Sequence, residues 1–270
     1  LRACTQPIQH NFFYECLFKY IFLRLSKKIM KIWLAQIRVN FLILSVFLVL
    51  IGIALAVKYP SADGFELNFV KAFLIMAGVV SAHISVNLFN EYSDFFTKID
   101  FMTSRTPFSG GSGVLVSGKN SPHKVLRLAI ITLLFSLAIG IYFSITAHWI
   151  IIVFAIIGAF SIVLYTSFLT KYMLGELFAG LSLGTLVVLG TYIAIHGSHE
   201  MFLINSIPLE VLWLSVPPGI LTSLLSFAYI FYLDNSVNIV GASGAICALL
   251  GYVEYYDKAQ RSGIITWVLL

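Results

Sequence analysis

Charge is the scarcest property of this 270-residue chain: Asp, Glu, Lys and Arg make up 11% of it, while 59% is apolar and 15% aromatic. Soluble domains carry about 25% charged residues, so a water-soluble globule is excluded. Cysteine is scarce as well. Cys4, Cys16 and Cys247 show no CxxC spacing, which excludes a disulfide framework and a cysteine-built metal site. The few charges are also unevenly placed. From Leu128 to Val253 only Lys171, Glu176, Glu200, Glu210 and Asp234 are charged, whereas Glu91, Asp94, Lys98, Asp100, Arg105, Lys119, Lys124 and Arg127 crowd into residues 90–127. The formal net charge of +5 reflects basic joints between apolar runs and asks for no nucleic-acid partner.

What is abundant is long uncharged segments. Phe41 to Val57, Ala72 to Phe89, Leu128 to Ile145, Trp149 to Leu169, Leu177 to Ile195 and Val211 to Leu233 each approach the ~20 residues that cross a hydrocarbon core as helix, and Val237 to Val253 is a seventh candidate. The runs are continuous rather than alternating, which disfavours strands. The expected fold is therefore all-α, a multi-pass transmembrane helical bundle with six to seven spans. Lys and Arg gather before the first span and in the joints after the second and fourth, so the N-terminus and the joint at 90–127 are expected on the cytoplasmic side of an integral membrane protein. The chain opens on Leu1, and its first methionine is Met30, so residues 1–29 are expected to be an N-terminal extension. Oligomeric state is not legible in the sequence.

Polar groups on a membrane helix mark function, because exposing them to lipid is expensive. His83, Asn87, Asn90, Glu91 and Asp94 follow one another at i, i+4, i+7, i+8 and i+11, a single helical face. Such a stripe must line a cavity or meet another polar surface. Asp100 lies six residues beyond Asp94, off that face, so the helix has to loosen for the two carboxylates to meet. Hard oxygen ligands from Asn90, Asp94 and Asp100 suit Mg²⁺, which takes one or two carboxylates and shares its remaining positions with water and phosphate. Lys98, Arg105 and the backbone amides of the run from Thr106 to Gly113 are then positioned to cradle phosphates. The competing reading is a helix end followed by a solvated charged loop.

Asn87-Leu-Phe-Asn90-Glu91-Tyr-Ser-Asp94, with Asp100 and the stretch from Arg105 to Gly113, resembles the first aspartate-rich motif of the UbiA-type intramembrane prenyltransferases. The six-step spacing from Asp94 to Asp100 is similar to the naphthoate-prenylating branch, and Leu164 to Gly180 is similar to the second cytoplasmic joint and fifth helix of the family. The resemblance runs from about Met30 to Leu225. It implies a nine-helix bundle and a prenyltransferase-like domain over residues 30–233. It also implies Mg²⁺-dependent transfer of a polyprenyl group from a polyprenyl diphosphate to an aromatic acceptor in the bilayer, in quinone biosynthesis. On matching positions, it assigns Asn90, Asp94 and Asp100 to the metal, Arg105, Lys171, Lys98 and Arg38 to the diphosphate, and Tyr165 and Asn87 to the substrate region.

The family's second acidic motif carries two aspartates, where this chain offers Asp234 with Asn235 and Asn238. Asp234 is then the remaining metal candidate, residues 234–270 read as a divergent, incomplete or frameshifted tail, and weakened catalysis is expected. Two other function classes compete. Gly241-Ala-Ser243-Gly-Ala245 resembles the serine motif of rhomboid intramembrane proteases, but no histidine follows His199 to activate Ser243. A transporter or non-catalytic membrane subunit would place its polar residues near the midplane, whereas this stripe runs to the cytoplasmic end.

Overall fold

The computed structural model describes residues 24, 26–60, 67–102, 111–164, 178–197 and 207–216. Among these there is no strand. Helix α1 (residues 26–36) leads into α2 (Val39–Lys58), α3 (Phe69–Phe96), the single turn α4 (Ile99–Met102), α5 (Pro122–Thr146) and α6 (Ile150–Leu164). Helix α7 (Gly180–His196) follows, and a last described helix covers 209–216. Helices α2, α3 and α5 are long and apolar enough to cross a membrane, and α6 and α7 are shorter apolar helices. They fall on the first five expected spans. The sixth begins within 209–216, and the rest of it and the seventh lie outside the described residues.

Local signals explain the helix starts. Asn68 caps α3, its Oδ1 accepting from the N–H groups of Val70 at 3.0 Å and Lys71 at 3.1 Å. Pro122 stands in the first turn of α5, where a missing N–H costs nothing. Between α1 and α2 the chain turns at Arg38, whose left-handed backbone (φ 53°) prevents the two helices from fusing.

Helix α3 is the hub, packing most extensively on α5 and also touching α2, α6, α7 and α4. One apolar core joins α2 and α7 through Leu48, Val49, Leu55, Val188, Tyr192 and Ile193. The helices come close at Gly52, where an added Cβ would lie 2.6 Å from Thr191 Cβ. A second cluster, Leu88, Leu115, Val125 and Ala129, seats α3 on α5, and Ser85 Oγ adds a 2.8 Å bond to the Ala129 carbonyl. The exterior is the reverse of a soluble protein's. Ile43, Phe47, Phe73, Leu134, Ile145 and Ile156 are exposed, while His83, Asn87, Glu91 and Asp94 are buried. Lipid suits that exterior; water does not.

Candidate active site

The polar stripe is a buried face of α3, and three of its members bond to groups on other segments. Ser45 Oγ on α2 lies 2.6 Å from His83 Nδ1. Asn87 Nδ2 donates to the Ile37 carbonyl at 2.9 Å, fastening α3 to the turn between α1 and α2. Glu91 accepts from Ser112 twice, from the backbone N–H at 3.0 Å and from the hydroxyl. Asn90 and Asp94 are buried beside them, and Asp94 Oδ1 has no hydrogen-bond partner among the described residues.

Asp100 reaches this face through a break in the helix. In a continuous α-helix it would sit about 120° around the axis from Asp94. Instead α3 ends at Phe96, Thr97 Oγ1 donates back to the Ser93 carbonyl at 3.0 Å, and Lys98 takes a left-handed conformation (φ 63°). That conformation costs a non-glycine residue roughly 1–2 kcal/mol. The turn α4 then buries Asp100. Asp94 feels the charge of Asp100, and of Arg38 and Glu91 as well. The loosening that the spacing requires is therefore present.

The glycine run closes the site from the other side. Gly111 has φ +68°, and a Cβ built on it would fall 2.5 Å from both carboxylate oxygens of Asp100. Only glycine lets the loop pass so close to that carboxylate. The neighbouring amide of Ser112 is engaged with Glu91 rather than turned outward, so in this part the run is an anchored wall and not an open nest of amides.

Of the residues expected at the site, Asn90 and Asp94 are buried near the end of α3 and Asp100 is buried in α4, with Asp100 and the half-buried Arg38 within electrostatic reach of Asp94. Asn87 is buried but spends an amide hydrogen on Ile37. Lys98 is exposed and contributes the backbone break. Arg105, Tyr165, Lys171 and Asp234 lie outside the described residues. Gln36 was missed. It is fully buried, its Oε1 accepts from Asn120 Nδ2 at 2.7 Å, and its Nε2 has no hydrogen-bond partner among the described residues. A single amide in an apolar segment two residues before Arg38 was its only signal.

The donor set fits Mg²⁺. Two buried carboxylates, a buried amide on the same helix face and an Asp94 oxygen with no donor among the described residues are hard ligands of the kind that ion takes, leaving positions for phosphate oxygens. Among the described residues no group of three or more His, Cys, Asp or Glu side chains could hold a metal alone. The set is an open one.

A helical bundle with an apolar exterior and a carboxylate pair buried at the end of a membrane helix defines an integral membrane protein with an intramembrane polar site. Residues 45–241 match the UbiA prenyltransferase family, and the chain belongs to that family. It is 28% identical over 169 residues to 1,4-dihydroxy-2-naphthoate octaprenyltransferase of Bacillus subtilis (strain 168), a match covering 61% of this chain. The chain spans about half the length of that relative, 51%. No solved structure matches.

Proposed function

We propose that the chain transfers a polyprenyl group from a polyprenyl diphosphate to an aromatic acceptor of the dihydroxynaphthoate class within the membrane. The observation that supports this reading is the burial of Asp94 and of Asp100 on either side of the left-handed break at Lys98, within electrostatic reach of each other and with Gly111 against Asp100. A carboxylate pair buried in an apolar bundle has no stabilising purpose unless a cation joins it. Asn90, Asp94 and Asp100 would hold Mg²⁺, which when bound neutralises charge on the departing diphosphate. Asp94 and Asp100 fix the diphosphate end, Arg38 adds positive charge at the mouth, and Glu91 keeps the loop in place by holding Ser112. The apolar bundle excludes water from the allylic carbon while the acceptor ring forms its bond to that carbon, the carbon–oxygen bond to diphosphate breaks, and the attacked ring carbon gives up the proton or carboxyl group it carried.

Arg105 and Lys171 are proposed as further diphosphate contacts and Tyr165 as a wall of the substrate region, on the family's pattern. Asp234, with Asn235 and Asn238, brings one carboxylate where the family's second motif brings two, so binding should survive better than turnover. The N-terminus and the motif loop are proposed to face the cytoplasm, where the diphosphate is. The test is product formation by the purified chain in lipid nanodiscs with farnesyl diphosphate, 1,4-dihydroxy-2-naphthoate and Mg²⁺. A prenylated naphthoate that disappears in Asp94→Asn supports the reading, and product formed equally by Asp94→Asn overturns it.

A further inference from the structure

Helix α1 has two uncovered faces of opposite character. At 3.6 residues per turn Lys27, Lys28 and Lys31 share one face, while Ile29, Met30 and Trp33 stand on the other. The three lysines are exposed, Ile29 and Met30 are each 55% exposed, and Trp33 is half-buried. A helix packed on a protein in water hides its apolar face, and a helix crossing lipid carries no such row of lysines. Basic on one side and apolar on the other, with both open, is the pattern of a helix lying in the plane of the membrane interface. The left-handed turn at Arg38 separates α1 from the spanning helix α2. The end of α1 is fastened, Gln36 Oε1 accepting from Asn120 Nδ2 at 2.7 Å and the Ile37 carbonyl from Asn87 Nδ2 at 2.9 Å.

Asn120 stands in a second basic group. Lys119 precedes it, Lys124 and Arg127 follow in the first two turns of α5, and all three are exposed. The Gln36–Asn120 bond therefore sets two basic groups side by side. Among the described residues of this end the acidic side chains, Glu91, Asp94 and Asp100, are all buried. The exposed Glu210 belongs to the opposite end, where its neighbour Val211 shares a core with Leu55 and Ile195. A surface of one sign attracts an oppositely charged partner. Nucleic acid or free phosphate would meet the lysines and leave Ile29 and Met30 in water. A zwitterionic lipid would cover the apolar face and bring no net charge. A basic joint that only sets topology needs no apolar face behind its charges.

We propose that α1, together with the start of α5, is a docking surface for anionic phospholipid. The helix lies in the interface on the side of the carboxylate pair, with Ile29, Met30 and Trp33 against acyl chains. Lys27, Lys28 and Lys31 gather anionic headgroups with Lys119, Lys124 and Arg127. This surface is separate from the carboxylate pair and works without Mg²⁺ or prenyl diphosphate.

The test is native mass spectrometry of the full chain in nonionic detergent with equimolar dioleoyl phosphatidylglycerol and dioleoyl phosphatidylcholine. Phosphatidylglycerol should be retained at least about fivefold better, the effect of a single Lys or Arg near an anionic lipid surface. The triple variant Lys27→Gln, Lys28→Gln, Lys31→Gln should lose that preference, as should Lys119→Gln, Lys124→Gln, Arg127→Gln, while Lys→Arg at 27, 28 and 31 keeps it. Ile29→Gln with Met30→Gln should weaken phosphatidylglycerol binding at least about fivefold with no change of charge. All of these positions are on the surface, so the unfolding temperature should stay that of the unaltered chain. Lys58→Gln with Lys71→Gln, at the opposite end, should leave the preference intact. Equal retention of the two lipids, a preference kept in both triple-Gln variants, or one lost in the Lys58 and Lys71 control would each overturn the proposal. Displacement of phosphatidylglycerol by inorganic phosphate would mark a free-phosphate site, displacement by farnesyl diphosphate with Mg²⁺ would assign the lysines to the carboxylate site, and either result would overturn it too.

Discussion

Replacing Gly111 with alanine tests the position of Asp100 directly. At φ +68° an L-residue pays roughly 1–2 kcal/mol for the left-handed backbone. The new Cβ would also lie 2.5 Å from both Asp100 carboxylate oxygens, well inside the ~3.5 Å of ordinary contact, so loop or carboxylate must shift. Gly118→Ala is the matched control, with φ +65° and nothing within 4 Å of its Cβ among the described residues. It pays for the backbone alone. The backbone terms being equal, each variant loses a few degrees of unfolding temperature, at about 2–4 °C per kcal/mol for a chain of this order of size. Only Gly111→Ala also moves Asp100, the proposed ligand, and disturbing the support of a metal ligand typically costs about 10- to 100-fold in affinity. The assay is Mg²⁺-dependent binding of radiolabelled farnesyl diphosphate to the chain in nanodiscs. Equal weakening in the two variants, or native affinity in Gly111→Ala, would refute the claim that this loop positions Asp100.

Further outcomes follow from the same contacts. Glu91→Gln removes the charge that holds Ser112 and should cost about 1–3 kcal/mol locally, read as faster hydrogen exchange at the Ser112 amide; unchanged exchange would show that Glu91 does not anchor the loop. Gly52→Val drives side-chain atoms into Thr191 and the Val188 carbonyl and should destabilise the α2–α7 contact by about 1–3 kcal/mol, seen as a lower unfolding temperature. Arg38→Gln removes positive charge near Asp94 and should weaken prenyl diphosphate binding about tenfold. The gap should narrow at high salt, and a salt-independent loss would point to a structural role instead.

The helical bundle was legible because lipid imposes one rule on the whole chain: uncharged runs of span length become helices, and α2, α3 and α5 lie over those read from the runs. The stripe on α3 was legible for the same reason, since spacing alone places His83, Asn87, Asn90, Glu91 and Asp94 on one face. Their division of labour was not. Ser45, Ile37 and Ser112 engage His83, Asn87 and Glu91, while Asp94 keeps an oxygen without a partner among the described residues, and those partners are distant in sequence. The need for a break before Asp100 could be deduced from helical geometry, but not its location. Lysine carries no signal for a left-handed backbone, so the turn at Lys98 could not be read from its side chain. Gln36 escaped notice because its burial depends on Asn120 across the bundle.

The central claim is that Asp94 and Asp100 together hold a divalent cation shared with a prenyl diphosphate. Electron paramagnetic resonance of Mn²⁺ tests it most directly, because Mn²⁺ shares the preference of Mg²⁺ for carboxylate oxygens. With farnesyl diphosphate present, the chain in nanodiscs should bind Mn²⁺ with a broadened, immobilised signal that is lost in Asp94→Asn and in Asp100→Asn. The same immobilised signal in all three proteins would contradict the assignment of the pair.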